Sequence, residues 1–114
     1  MRTSDITIHV SLDEQNIPEK ITWEATDAPA DVPNSTKAFA LSVWDSEANG
    51  IMRVDLWTKD MMVGEMKKFF IQTLGAMGET ILSATGDEKM YHEVNNTCER
   101  LAQMLMEEER NAAK

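Results

Sequence analysis

Gly50-Ile51-Met52-Arg53-Val54-Asp55-Leu56-Trp57-Thr58-Lys59-Asp60 is the stretch that decides the fold. In it Met52, Val54 and Leu56 alternate with Arg53, Asp55 and Trp57, the period of a strand with one dry and one wet face. The first set is assigned to the core face and the second to the outer face. Directly afterwards the period changes: Met62, Met66, Phe69, Phe70, Thr73, Leu74, Met77 and Ile81 recur at spacings of three and four, one apolar side of a helix. Lys67, Lys68, Gln72 and Glu79 fall on its wet side. Asp60, between the two periods, occupies the place of a helix N-cap, where its carboxylate can accept from unpaired backbone N–H groups. The chain before this point reads as β and the chain after it as α.

The length of 114 residues is that of one domain, taken as 1–114, with strands over about 5–58 and helices over about 61–108. An apolar fraction of 42% is ordinary for a globular chain. The formal net charge of -9 repels phosphate backbones and anionic lipid, so nucleic acid and membrane surfaces are poor partners. The N-terminus opens into an alternating pattern rather than an apolar targeting segment, and no apolar run reaches membrane-spanning length. No direct membrane insertion is expected. The single Cys precludes an intrachain disulfide and favours a reducing cytoplasm.

Working outward towards the N-terminus, Ile6, Ile8, Val10 and Leu12 alternate with Thr7, His9 and Ser11, and Ile21, Trp23 and Ala25 alternate with Lys20, Thr22 and Glu24. Asp13-Glu14-Gln15-Asn16 separates them as a turn. Core residues at even positions in one strand and odd in the other come together in any antiparallel register with an odd sum, which suits a hairpin. Residues 27–37, with two of the three prolines, read as a long loop and the natural place for mobility. Beyond it Phe39, Leu41 and Val43 face the core, Ala40, Ser42 and Trp44 face outward, and Asp45-Ser46-Glu47-Ala48-Asn49-Gly50 turns the chain into the Gly50 strand. The expected architecture is α+β, ββββαα: two hairpins forming one four-stranded antiparallel sheet, with an αα-hairpin packed on one face.

Gly86 suits the left-handed end of the first helix and Asp87-Glu88 the acidic start of the second. The second helix carries Tyr91, Val94, Cys98, Leu101 and Leu105 on its apolar side. Gly75 and Gly78 cost helix stability, about 1 kcal/mol each relative to Ala, and are assigned to close approach of a neighbouring element. Glu107-Glu108-Glu109 places negative charge at the unfavourable end of that helix, so the tail is expected to fray.

Little in the chain points to catalysis. Cys98 lies in an apolar stripe, where a free Cys acts as a small hydrophobe rather than a nucleophile. His9 falls on the outer face as a solvated side chain. Glu88 and His92, four apart on a helix, have the spacing of metal ligands but are too few for a site. Met52, Met62, Met66 and Met77 fall on core positions, which argues against a soft-metal surface. Gly75-Ala76-Met77-Gly78 is mid-helix and not a phosphate loop, and Asn34-Ser35-Thr36 and Asn95-Asn96-Thr97 are incidental matches to a glycosylation pattern. No catalytic, cofactor-binding or metal-binding residue is assigned, and no cofactor is expected. The outward residues Trp44, Trp57, Asp55 and Arg53 are the exception. With a register sum of 99, Trp44 opposes Asp55 and lies diagonal to Trp57, so two indoles share a wet face; a protein contact is the common use of such a patch.

Four segments then carry a family resemblance: Trp23-Glu24-Ala25-Thr26-Asp27-Ala28-Pro29, Leu41-Ser42-Val43-Trp44-Asp45, Arg53-Val54-Asp55-Leu56-Trp57-Thr58-Lys59-Asp60-Met61 and Ala84-Thr85-Gly86-Asp87-Glu88. Together they resemble the gliding-motility-associated GldC family of Bacteroidota, over nearly the whole chain from Ser4 to about Leu105. The third segment is the most specific. In the family pattern Pro often follows its Asp-Met; here Met62 stands instead and removes a helix-start residue.

The resemblance implies a small soluble protein accessory to surface gliding and its secretion apparatus, with no catalytic residues to carry over. The expectation is a non-enzymatic, cytoplasmic interaction protein that meets partners of the gliding machinery through Trp44 and Trp57, with a homodimer across that face as the simplest case. The alternative is a small-ligand binder or enzyme on the same outer sheet face, with Asp55 and Asp45 as carboxylates and His9 as base.

Overall fold

The computed structural model describes residues 1–28 and 34–113. Five strands come first: β1 (Ile6–Leu12), β2 (Pro18–Ala25), β3 (Ser35–Thr36), β4 (Ala38–Asp45) and β5 (Gly50–Trp57). Two helices follow, α1 (Val63–Thr85) and α2 (Glu88–Ala112). The fold is α+β. The chain divides into two compact units, Met1–Met61 with the strands and Met62–Lys114 with the helices, each described by itself.

Hairpin β1–β2 pairs Ile6 with Ala25, Ile8 with Trp23 and Val10 with Ile21, so the sum is odd and the apolar sets share a face. Its turn is held by Asp13, whose Oδ1 accepts from the backbone N–H groups of Gln15 (2.8 Å) and Ile17 (3.0 Å). Asn16, at φ 62°, supplies the left-handed residue.

The expected single four-stranded sheet is corrected to two antiparallel sheets, β1-β2-β3 and β4-β5. One stretch of chain, 34–45, serves both. Its first part continues the β2 ladder, with Ile21 opposite Thr36 and the Trp23 N–H donating to the Asn34 carbonyl at 2.7 Å. At Lys37 it changes partner: the Lys37 carbonyl accepts from Thr58 N–H at 2.7 Å, extending the β4–β5 ladder. Thr36 marks the change, its hydroxyl donating to the Ala38 carbonyl at 2.9 Å, a local bond that draws the chain out of the first ladder. Residues 35 and 36, within the expected loop 27–37, are strand; the part of that loop and of its expected mobility at 29–33 lies outside the described residues. Where the two hairpins meet, Ile21 is only 1% exposed, beside an apolar hollow of about 200 Å³ lined by Ile6, Ile8, Trp23 and Phe39 among others.

The helical unit follows its local signals. Gly86 stands at φ 72° and its N–H returns to the Leu82 carbonyl at 2.9 Å, closing α1. Asp87 caps α2, its carboxylate accepting from Met90 N–H at 2.9 Å. Gly78 is buried against α2: a methyl group there would lie 2.9 Å from Val94 Cγ1. Cys98 sits in the same seam, its Sγ 3.8 Å from the Ile71 carbonyl.

Three expectations for this unit are corrected. The seam of α1 towards α2 runs through Ile71, Gly75 and Gly78, while Met62, Phe70 and Met77, expected in the core, are exposed. Gly75 and Gly78 admit the neighbouring helix, so the contact line passes through them rather than through Phe70 and Met77. Helix α1 also begins at Val63, without Asp60 as its cap; the Glu65 carboxylate accepts from Met62 N–H instead, at 3.2 Å. The second helix, expected to end at about 108, runs to Ala112. Lys67 of α1 reaches Glu108 at 2.7 Å, and Arg110 places positive charge in the last turn.

Candidate functional site

The β4–β5 hairpin carries all four residues singled out as an interaction surface, and its register decides what they can do together. Asp45 pairs with Gly50, and from there Trp44 with Ile51, Ser42 with Arg53, Ala40 with Asp55 and Ala38 with Trp57. The sum is 95, not 99. It is odd, so the faces are as expected, but Trp44 no longer opposes Asp55. Trp57 is six residues from the position opposite Trp44, roughly 20 Å along the strand at about 3.3 Å per residue. The expected Trp pair is therefore corrected: the two indoles stand at opposite ends of one face.

The turn supplies the reason. Asp45 Oδ1 accepts from the N–H groups of Glu47 (3.0 Å) and Ala48 (3.3 Å), and Asn49 takes φ 55°. This consumes residues 46–49 as the loop, where a sum of 99 would require them in strands.

Between the two Trp residues lies a polar centre. Arg53 grips Asp55 with two nitrogens, Nη2 to Oδ1 at 2.8 Å and Nε to Oδ2 at 3.3 Å, and its Nη1 donates to Ser42 Oγ on β4. The carboxylate holds the Arg53 pKa above its usual value. Both side chains keep about a third of their surface in solvent, at 30% each. Trp44 is 60% exposed and Trp57 44%.

The other face of the hairpin is apolar up to Asp45 at the turn: Phe39 opposite Leu56, Leu41 opposite Val54, Val43 opposite Met52. It was assigned to the core, yet Leu41, Val43, Met52 and Val54 are all exposed, Met52 at 62%. The hairpin thus presents large apolar side chains on both faces, with one charged pair in the middle of one of them.

A second cluster escaped the sequence reading. Thr58, 3% exposed, donates its hydroxyl to Asp60 Oδ1 at 2.5 Å, and this bond, with Lys37 nearby, holds the Asp60 pKa below its usual value. Lys59 reaches back to the first hairpin, its Nζ 3.1 Å from Asp13 and 3.4 Å from Glu19, while its N–H donates to the Pro18 carbonyl at 3.0 Å. The pKa of Asp13 is lowered, chiefly by the Ile17 amide with help from Gln15 and Lys59, and that of Lys59 is raised by Asp13 and Glu19. Thr58-Lys59-Asp60 therefore ties the two hairpins together, which accounts for part of the most specific segment in structural terms. The signal was the Thr and Asp two apart, a pairing that turns favour as strongly as helix caps.

The residues of the catalytic alternative are not brought together. Asp55 and Asp45 lie on opposite faces of the β4–β5 hairpin, and Asp45 is engaged in its turn. His9 belongs to the other hairpin, opposite Thr22, with its Nε2 3.6 Å from Glu24 Oε1. His92 is exposed and stacks edge-on with Tyr91 at 5.3 Å. Among the described residues no group of three or more His, Cys, Asp or Glu side chains is placed to hold a metal ion. Nor is any described helix long and apolar enough to cross a membrane.

Residues 18–107 match the model of a family described as gliding motility-associated protein GldC-like. Neither a curated protein nor a solved structure matches the chain.

Proposed function

The chain belongs to the GldC-like family of gliding-motility-associated proteins, and on that premise we propose that it acts by binding protein rather than by catalysis, with the β4–β5 hairpin as its contact surface. One observation carries the reading: Leu41, Val43, Trp44, Ile51, Met52, Val54 and Trp57, seven large apolar side chains on a single hairpin, are all exposed. Apolar patches of this extent mark interaction sites, and Trp and Arg are the residues that most often dominate their energetics. The partners are components of the gliding and secretion machinery, met in the cytoplasm. The seating of the αα-hairpin on a sheet face is a relation between the two units and stays an expectation.

The test is complementation in a gliding cell that lacks this gene, scoring colony spreading. Met52→Glu places a charge in the middle of the apolar face; Ser11→Glu places one on the polar face of the first hairpin as a control. Restoration of spreading by the control but not by Met52→Glu, at equal protein levels, supports the reading. Full restoration by Met52→Glu refutes it.

A further inference from the structure

From the edge of β5 we infer that the contact surface, on the reading above, takes a second copy of this chain, through antiparallel pairing of β5 with the same strand of its partner. Among the described residues strand β5 is hydrogen-bonded to β4 alone, so it presents a second edge that no described strand pairs. A long apolar edge strand is a template for another strand unless it is blunted by Pro, a bulge or unpaired charge; β5 has no Pro or bulge, and its two charges, Arg53 and Asp55, are paired with each other.

The sequence of β5 is complementary to itself about Val54. In an antiparallel pair centred on Val54, residues whose numbers sum to 108 oppose each other and share a face. Arg53 then opposes the partner's Asp55, and Asp55 the partner's Arg53. Met52 opposes the partner's Leu56, and Ile51 the partner's Trp57. From Ile51 to Trp57 every cross-strand pair is apolar with apolar or cation with anion, and a two-fold axis requires only that one surface satisfy itself in this way. The other long edge strands lack the ionic pairs: β1 holds no Asp, Glu, Lys or Arg, and β4 only Asp45 at its end.

The arrangement also gives the separated Trp residues a common neighbour. Trp44 opposes Ile51 within its own hairpin, and Ile51 opposes the partner's Trp57, so one row across the joined sheet reads Trp44, Ile51, the partner's Trp57. The two indoles stand two strands apart, about 10 Å, on either side of one Ile. The polar centre becomes a four-residue cluster of two Arg and two Asp on the axis.

A charge-swap series tests this, read by light scattering after size exclusion with circular dichroism as the check on folding. Wild type is expected to be dimeric. Arg53→Asp alone and Asp55→Arg alone each place like charges opposite each other twice, weakening self-association roughly ten- to hundredfold. An equimolar mixture of the two single variants restores opposite charges at both positions and should dimerise. The double variant Arg53→Asp with Asp55→Arg keeps both the intrachain pair and the complementarity, and should dimerise like wild type even where a single variant folds poorly. A monomeric wild type overturns the inference, as do single variants that dimerise undiminished, or a monomeric mixture of folded single variants. A monomeric wild type leaves the partner-binding reading standing, because that reading depends on the spreading of cells carrying Met52→Glu.

Discussion

Gly78→Ala perturbs the tightest point between the two helices. The added Cβ would lie 2.9 Å from Val94 Cγ1, closer than Cβ atoms approach, and 3.3 Å from Val94 Cβ, a tight contact. Val94 cannot rotate away cheaply, because a β-branched side chain in a helix is held to one rotamer, so the backbones must separate. Overpacking of this kind costs about 1–3 kcal/mol, set against a gain of about 1 kcal/mol from replacing Gly in a helix. The net is a loss of about 0–2 kcal/mol. Gly75→Ala is the internal reference: its Cβ meets only Cys98 Sγ at 3.8 Å, ordinary contact, so it should gain about 0.5–1 kcal/mol. Urea melts followed by helical circular dichroism should separate the two variants by about 1–3 kcal/mol. Combining Gly78→Ala with Val94→Ala removes the clash and should show a coupling of similar size. If Gly78→Ala stabilises as much as Gly75→Ala, the close approach of α1 and α2 at this point is refuted.

Two further outcomes are expected. Gly86→Ala forces a Cβ into the left-handed region at φ 72° and should cost about 1 kcal/mol, seen as a lower urea midpoint; an unchanged midpoint would mean that α1 does not end there. In acid, Asp13 and Asp60, whose folded pKa values are depressed, contribute stability that is present above their unfolded value near 3.8 and is lost as pH falls through the folded values. Thr58→Val removes the hydroxyl bonded to Asp60, so its deficit in melting temperature at neutral pH should narrow as pH falls below 3.8. A deficit that is constant with pH rules out that bond as the cause.

The sequence was most legible where the signal is local. Gly86 and Asp87 needed only their own backbone to end one helix and cap the next, and both do so. Strand faces were legible because alternation fixes parity, but any even shift preserves parity, so it could not separate a register sum of 99 from 95, a slip of four residues. The side chain of Asp45 made that choice by drawing residues 46–49 into the turn. Asp60 was misread because a carboxylate before a helix serves a cap or a neighbouring hydroxyl equally well, and Thr58 lay within reach. Lys67 meets Glu108 of the tail from 41 residues away in sequence, a separation that no periodicity encodes. Parity alone put Trp44, Arg53, Asp55 and Trp57 on one face, as the register has them, but it could not give their spacing along the hairpin.

Thr58 and Lys59 are neighbours whose amides report on different structures. The Thr58 amide is tied to Lys37 within the second hairpin's own ladder; the Lys59 amide is tied to Pro18, across to the first. Exchange of the Thr58 proton for deuterium requires only that the second ladder open at its end. At Lys59 exchange requires the two hairpins to part. The difference in protection between these adjacent protons therefore measures the free energy by which one hairpin holds the other, within a single molecule and without a mutation.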